Sequence, residues 1–196
     1  MSEAEAELLC TTKDAAYGRN RMSKVWIGTS GWTYDGWRGP FYPSDLAKKN
    51  WLCFYSHHFP TTEINGSFYR TPSLEAVKAW RDQTPAAFLF AWKASKFITH
   101  WKRLSENCAN SIELMETRLK ALSPKVGAVL FQLPPQFSKN RERLASFLGM
   151  LPRCYSYAFS NFAIKAGTTM TSTSFCARMT SRSAFPIIMT RHRPGR

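Results

Sequence analysis

Apolar positions follow two rhythms along the first 159 residues. Short β-prone runs occur at Val25-Trp26-Ile27, Thr61–Arg70, Phe88–Ala94, Val126–Leu133 and Tyr155–Phe159. Between them apolar residues recur at three- and four-residue spacing. The helical sets are Trp51, Phe54, Tyr55 and His58; Leu74, Val77 and Trp80; Ile112, Met115, Leu119 and Leu122; and Leu144, Phe147, Leu148 and Leu151. A period near 3.6 marks one buried helical face, whereas a short apolar run bounded by turn residues marks a strand. Strand and helix therefore alternate four times, and a fifth strand begins. Phe88–Ala94 and Val126–Leu133 are nearly continuous in apolar residues, as strands covered on both faces of a parallel sheet are. The pattern predicts an α/β fold, either a doubly wound sheet or a (β/α)8 barrel. Ser44 before Asp45 and Thr71 before Pro72 are the expected N-caps of the first two helices.

From residue 160 the pattern stops. Residues 160–196 hold eleven Ser or Thr, six Lys or Arg and no acid. That composition predicts an irregular tail. It also divides the net charge of +14, because all 13 Asp and Glu lie before it. The basicity is thus two separate features rather than one nucleic-acid patch. Residues 1–23 read as a polar N-terminal tail containing Glu3, Glu5 and Glu7, the opposite of an export leader, with Met22 an alternative start. No apolar run reaches the roughly eighteen residues that a membrane span needs. The five cysteines are odd in number and lack Cys-x-x-Cys spacing. They predict reduced thiols in a cytoplasmic protein and no zinc site.

The candidate chemistry sits where strands end. Gly28, Thr29, Ser30 and Gly31 form a tight turn with Trp26, Trp32, Tyr34 and Trp37 around it. These aromatics either pack beneath the strand end or wall a ligand pocket. Glu63 is the one carboxylate in its apolar run, a general base or an ion-pair partner for Lys93 or Arg70. Period-two alternation puts Asn65 on the same strand face as Glu63. Lys93 suits phosphate binding or neutralisation of Glu63, His100 proton transfer, and Arg70 a forked contact to phosphate or carboxylate. Asn65 and Gln132 read a ligand or satisfy buried backbone. A second facing carboxylate, as most glycosidases need, is not evident. The acids and histidines are too few for a metal site, so none is expected. No cofactor is indicated.

Five motifs then occur in order: Gly28-Thr29-Ser30-Gly31-Trp32-x-Tyr34; Phe41-Tyr42-Pro43; Glu63-Ile64-Asn65-x-x-Phe68-Tyr69-Arg70-x-Pro72-Ser73; Lys93-Ala94-Ser95 with Ile98-Thr99-His100; and Phe131-Gln132-Leu133-Pro134-Pro135-x-Phe137. Together they resemble the YecE-like family, also called domain of unknown function 72, over residues 24–159. The resemblance implies a TIM-like (β/α)8 barrel, here only its first four and a half βα units, with its site at the C-terminal strand ends. Glu63, Lys93 and His100 are then the expected catalytic residues. Gly28, Thr29, Ser30, Gly31, Trp32, Tyr34, Asn65, Phe68, Tyr69, Arg70 and Gln132 are the expected ligand-binding residues. The expected function is an enzyme acting on a phosphorylated or sugar-like ligand. The alternatives are a repair-like nucleic-acid-binding barrel and a non-functional truncated product. In the family the fifth strand continues into Glu-Phe-Arg-His-x-Ser-Trp. Codons for Ser160 to Met170 can spell that run when read from their third base, with Gly167 supplying the two guanines of tryptophan. A shift of reading frame just after Phe159 is therefore expected.

Overall fold

The computed structural model describes residues 25–138, 140–155, 157–161, 173–175 and 187–190. The expected polar tail, 1–23, and most of the expected irregular tail, 160–196, lie outside the described residues. The elements run β1 (Trp26–Ser30), α1 (Trp51–His58), β2 (Thr61–Ile64), α2 (Leu74–Asp82), β3 (Leu89–Lys93), α3 (Ala109–Leu122), β4 (Val126–Leu133), α4 (Arg141–Gly149), β5 (Tyr157–Asn161), β6 (Thr173–Phe175) and β7 (Ile187–Thr190). The strands form one sheet in the order β6-β5-β4-β3-β2-β1-β7. Strands β1 to β5 pair in parallel with their sequence neighbours. β7 is parallel to β1 and β6 antiparallel to β5. The alternating pattern thus yields an α/β fold on a parallel sheet.

The register divides the sheet into two unlike faces. Ile64, Phe90, Trp92, Val129, Phe131 and Tyr157 share one face and are buried in the main core with residues of the helices. Gly28, Ser30, Thr61, Glu63, Ala91 and Lys93 share the other, because Gly28 pairs with Thr61, Ser30 with Glu63, and Glu63 with Ala91. At the strand ends this second face is polar and carries the charged residues, while Trp26, Leu89 and Leu130 also belong to it.

Strands β1 and β2 approach each other unusually closely. A Cβ on Gly28 would stand 2.0 Å from the Thr61 carbonyl oxygen, so only glycine fits. Beside this contact the Tyr55 hydroxyl of α1 accepts from the Thr29 amide at 2.9 Å and donates to the Thr61 carbonyl at 3.0 Å. The Thr62 hydroxyl donates to the Thr29 carbonyl at 3.0 Å. Just before β4, Lys125 is buried and donates to the Thr84 carbonyl at 2.6 Å and to the Arg81 carbonyl. The ammonium thereby closes the C-terminal end of α2, where unpaired carbonyls favour a cation. Burial holds its pKa below the ordinary lysine value.

Four expectations are corrected. Ser44 caps no helix: α1 begins at Trp51 after a short 3-10 turn, Lys48–Asn50, and its N-cap Asn50 makes no side-chain bond. α2 is capped by Ser73, which accepts from the Ala76 amide, and not by Thr71. The run Thr61–Arg70 is a strand only to Ile64; the turn-prone Asn65-Gly66 bends it into a 3-10 turn, Asn65–Phe68. The tail is not irregular throughout, since Thr173–Phe175 and Ile187–Thr190 are strands. Their β-branched and aromatic residues suit strands, and each joins an edge of the parallel sheet.

Gly28→Ala sets a methyl against rigid backbone. Overpacking of this kind costs about 1–3 kcal/mol and occasionally more, and a carbonyl that cannot move puts this case at the upper end. Urea unfolding is expected to show a loss of about 3 kcal/mol or more; a loss below about 1 kcal/mol would mean that β1 and β2 can separate without penalty.

Candidate functional site at the C-terminal ends of β1 to β3

The sheet register brings Ser30, Glu63 and Lys93 together. Ser30 and Glu63 are paired across β1 and β2. Lys93 lies two residues beyond Ala91, the partner of Glu63, and so falls on the same face. The Ser30 hydroxyl donates to Glu63 Oε1 at 2.6 Å. Lys93 Nζ stands 3.6 Å from the same oxygen and donates to Asn65 Oδ1 at 3.1 Å. Glu63 and Lys93 are both buried. Period-two alternation does not explain how Asn65 arrives there, since β2 has ended; the 3-10 turn delivers it. The Ser67 hydroxyl sits 2.6 Å from the Lys93 carbonyl and so anchors that turn to the end of β3.

His100 belongs to the margin of this cluster. It lies in a π-helical turn, Phe97–Trp101, that follows β3. Its ring meets Phe68 edge-on at 5.2 Å, and Lys93 Nζ lies 5.2 Å from the centroid of the same Phe68 ring. Phe68 thus lies against both His100 and the ion pair. The Thr99 hydroxyl donates to the Ser95 carbonyl at 3.1 Å and lies 2.9 Å from His100 Nδ1. When the Thr99 proton goes to Ser95, Thr99 accepts from Nδ1–H, and the Nε2 lone pair of neutral His100 is then available as a base. Burial, and then the charge of Lys93, hold the imidazole pKa below its ordinary 6.5.

A cleft of about 590 Å³ opens at the same strand ends, lined by neither Glu63 nor Lys93 themselves. Ser30, Asn65, Gly31, Trp32 and Tyr34 line it, together with Lys48, Lys49 and Trp80. Ser30 and Asn65 are therefore both cleft walls and direct partners of Glu63 and Lys93. Gly31 turns the chain with φ +92°, a conformation that favours glycine. Tyr34 packs on Trp37 at 4.8 Å and its hydroxyl donates to the Ser30 carbonyl. Trp32 is buried edge-on against Trp80 at 5.4 Å and belongs to the core as much as to the wall.

The remaining candidates stand apart. Thr29 spends its amide and hydroxyl on Tyr55 and Gly31 and so holds the fold. Tyr69 is exposed. Arg70 lines a separate recess with Thr71, Ser73 and Arg118. Gln132 is half-buried near the end of β4, two residues beyond Leu130, the partner of Lys93, and on the same sheet face. Among the described residues no group of three or more His, Cys, Asp or Glu could hold a metal ion, and no helix is long and apolar enough to cross a membrane.

Residues 26–171 match the family described as "Protein of unknown function DUF72". The chain belongs to the DUF72 family. It is 32% identical over 126 residues to the UPF0759 protein YunF of Bacillus subtilis, a match covering 62% of this chain and 44% of YunF. A DUF72 protein from Thermotoga maritima superposes with a TM-score of 0.58 at 27% identity, covering 70% of this chain and 55% of that one. A DUF72 protein from Enterococcus faecalis, 20% identical, shares the fold with a TM-score of 0.56 over 71% of this chain and 51% of its own. The chain spans about half the length of these relatives. The DUF72 match runs twelve residues past Phe159.

Three site features escaped the sequence reading. Tyr55 reads there as one more apolar helix residue, although its hydroxyl positions the β1 turn. Ser67 was an unmarked spacer within the Glu63–Ser73 motif. Lys48 and Lys49 could have been found from their adjacency just before a helix, but nothing in the pattern points them at a cleft.

The environment of His100 sets a pH dependence. Because its pKa is depressed on folding, the unfolded chain binds the proton first as pH falls below 6.5. The stability linked to neutral His100 is present above that pH and is lost as pH drops through the folded value. An NMR titration is expected to give a His100 midpoint below 6.5 that rises in Lys93→Met. A midpoint above 6.5, or no response to Lys93→Met, would contradict the assignment.

Proposed function

We propose that this chain forms the first five strands of a TIM-like (β/α)8 barrel whose complete DUF72 domain is an enzyme acting on a phosphorylated or sugar-like ligand. The observation that carries this reading is the buried Glu63–Lys93 pair, whose partners Ser30 and Asn65 line the cleft. A buried ion pair contributes little net stability, because removing two charges from water offsets their attraction. Such a pair beside a cavity is better suited to chemistry. Lys48 and Lys49, which line the cleft, would draw a phosphate, with Lys93 set behind the Asn65 wall, and Trp32 and Tyr34 would face the apolar side of a sugar. Glu63 would serve as the acid–base group and neutral His100 as a second proton carrier. The parallel order of β1 to β5 and the site at their C-terminal ends agree with barrel geometry.

Glu63→Gln keeps an oxygen for the Ser30 hydroxyl and leaves Lys93 its bond to Asn65. In a full-length DUF72 relative it is expected to cost turnover at least a hundredfold, and because the buried Lys93 ammonium loses its counter-charge a stability loss of about 3 kcal/mol accompanies it. Turnover would be followed on a panel of sugar phosphates. If the folded variant keeps the parent's turnover, a purely structural ion pair is the better account.

A frame shift after Phe159 is a separate proposal. The absence of any acid from residues 160–196 supports it; the DUF72 match through residue 171 and the pairing of β7 with β1 weigh against it. Sequencing the gene across codon 160 decides the matter. A second open frame continuing a barrel is the expected result, and its absence would refute the shift.

A further inference from the structure

Three of the five exposed large hydrophobics among the described residues, Tyr69, Trp101 and Leu114, line one recess outside the Glu63 cleft. Tyr69 is 68% and Trp101 65% exposed. Large aromatic rings held this far into water are unusual unless something covers them. Tyr69 ends the 3-10 turn after β2, and Trp101 ends the π-helical turn after β3. Lys96 stands between them, its ammonium 5.7 Å from the Tyr69 ring and 5.1 Å from the Trp101 ring. Lys102 lies over Phe97 at 5.4 Å. No acid lines the recess.

The surface continues into a second recess. The two share Ser67 and Thr71, and the second is lined by Arg70 and Arg118. Glu75, in the first turn of α2, lies near enough for its carboxyl to feel the Arg118 charge. Even so, four cations, Lys96, Lys102, Arg70 and Arg118, border one ridge that carries two exposed rings.

We infer that this ridge is a platform for single-stranded nucleic acid, with bases stacked on Tyr69 and Trp101 and phosphates met by Lys96, Lys102 and Arg70. Exposed rings interleaved with cations are what a flexible polyanion with flat bases requires, since every base offers a face to stack and every linkage a charge. An acidic peptide would match the cations but has no reason to need two open aromatic faces. A duplex keeps its bases stacked on each other and offers only phosphate. Tyr69, Trp101 and Lys96 lie outside the cleft near Glu63, which the second recess adjoins at Gly66 and Trp80, and the platform does not rest on the enzymatic reading.

The test uses the full chain and a labelled twelve-residue oligothymidylate, with inorganic polyphosphate as a charge-only competitor. Fluorescence anisotropy is expected to show binding that weakens steeply with salt. Trp101→Ala should weaken oligothymidylate binding about fivefold to a hundredfold and leave polyphosphate binding unchanged, and Trp101→Phe should retain most of it. Lys96→Gln should lower the salt slope by about one. Trp101 is exposed, so these variants should melt at the parent temperature, which circular dichroism checks. Glu63→Gln should leave strand binding intact, so failure of the catalytic reading and failure of this one stay distinct. The proposal is overturned if no binding is seen at 50 mM salt. It is also overturned if Trp101→Ala weakens polyphosphate equally, or if an acidic polypeptide displaces the strand as well as polyphosphate does.

Discussion

The close approach of β1 to β2 at Gly28 governs the geometry of everything above it. With no side chain at that position, the two strands lie near enough for one hydroxyl, that of Tyr55, to bond Thr29 on one and Thr61 on the other. Helix α1 is thereby bolted to both strands at once. Two residues further along, the same spacing lets the short Ser30 side chain reach Glu63. A wider separation would leave that carboxylate oxygen with a distant ammonium alone, buried and under-bonded, which is costly in a low-dielectric setting.

The charged pair itself is assembled from modest parts. Glu63 comes from a strand, Asn65 from the turn that ends it, and Lys93 from the last residue of the neighbouring strand. The Ser67 hydroxyl holds the turn against the Lys93 carbonyl, so the ammonium and its amide acceptor are positioned by a single backbone connection. Phe68, from the same turn, contacts both Lys93 and His100. Asn65, Ser67 and Phe68 therefore each have a separate task within one short bend.

Much of this was legible in the chain because the strongest signals are periodic. The five parallel strands and four helices follow from apolar runs and three-to-four spacing, and the α3 stripe Ile112, Met115, Leu119 and Leu122 is buried as its spacing requires. Glu63 and Lys93 could be paired in advance because charged residues stand out at the ends of apolar strands. What was not legible were places where tertiary contact outweighs local preference. Ser44 has the right chemistry for a cap, yet the helix starts at Trp51, whose buried ring stacks on Tyr42 at 4.4 Å. Phe68 and Tyr69 favour strands, but Asn65-Gly66 ends β2 before they are reached. Arg70 carries the right charge for the Glu63 site and faces another recess, because a turn, unlike a strand, does not preserve the side of the sheet.

The two strands from the basic tail bear on how this protein behaves among copies of itself. A parallel sheet that stops at β1 and β5 would present two rows of unsatisfied amides and carbonyls, each a template for a neighbouring chain. Here β7 lies along β1 and β6 along β5, and each is only three or four residues long. Strands that short give an incoming chain little length on which to register. With β6 and β7 in place, neither edge of the parallel sheet offers a long open strand to self-propagating growth.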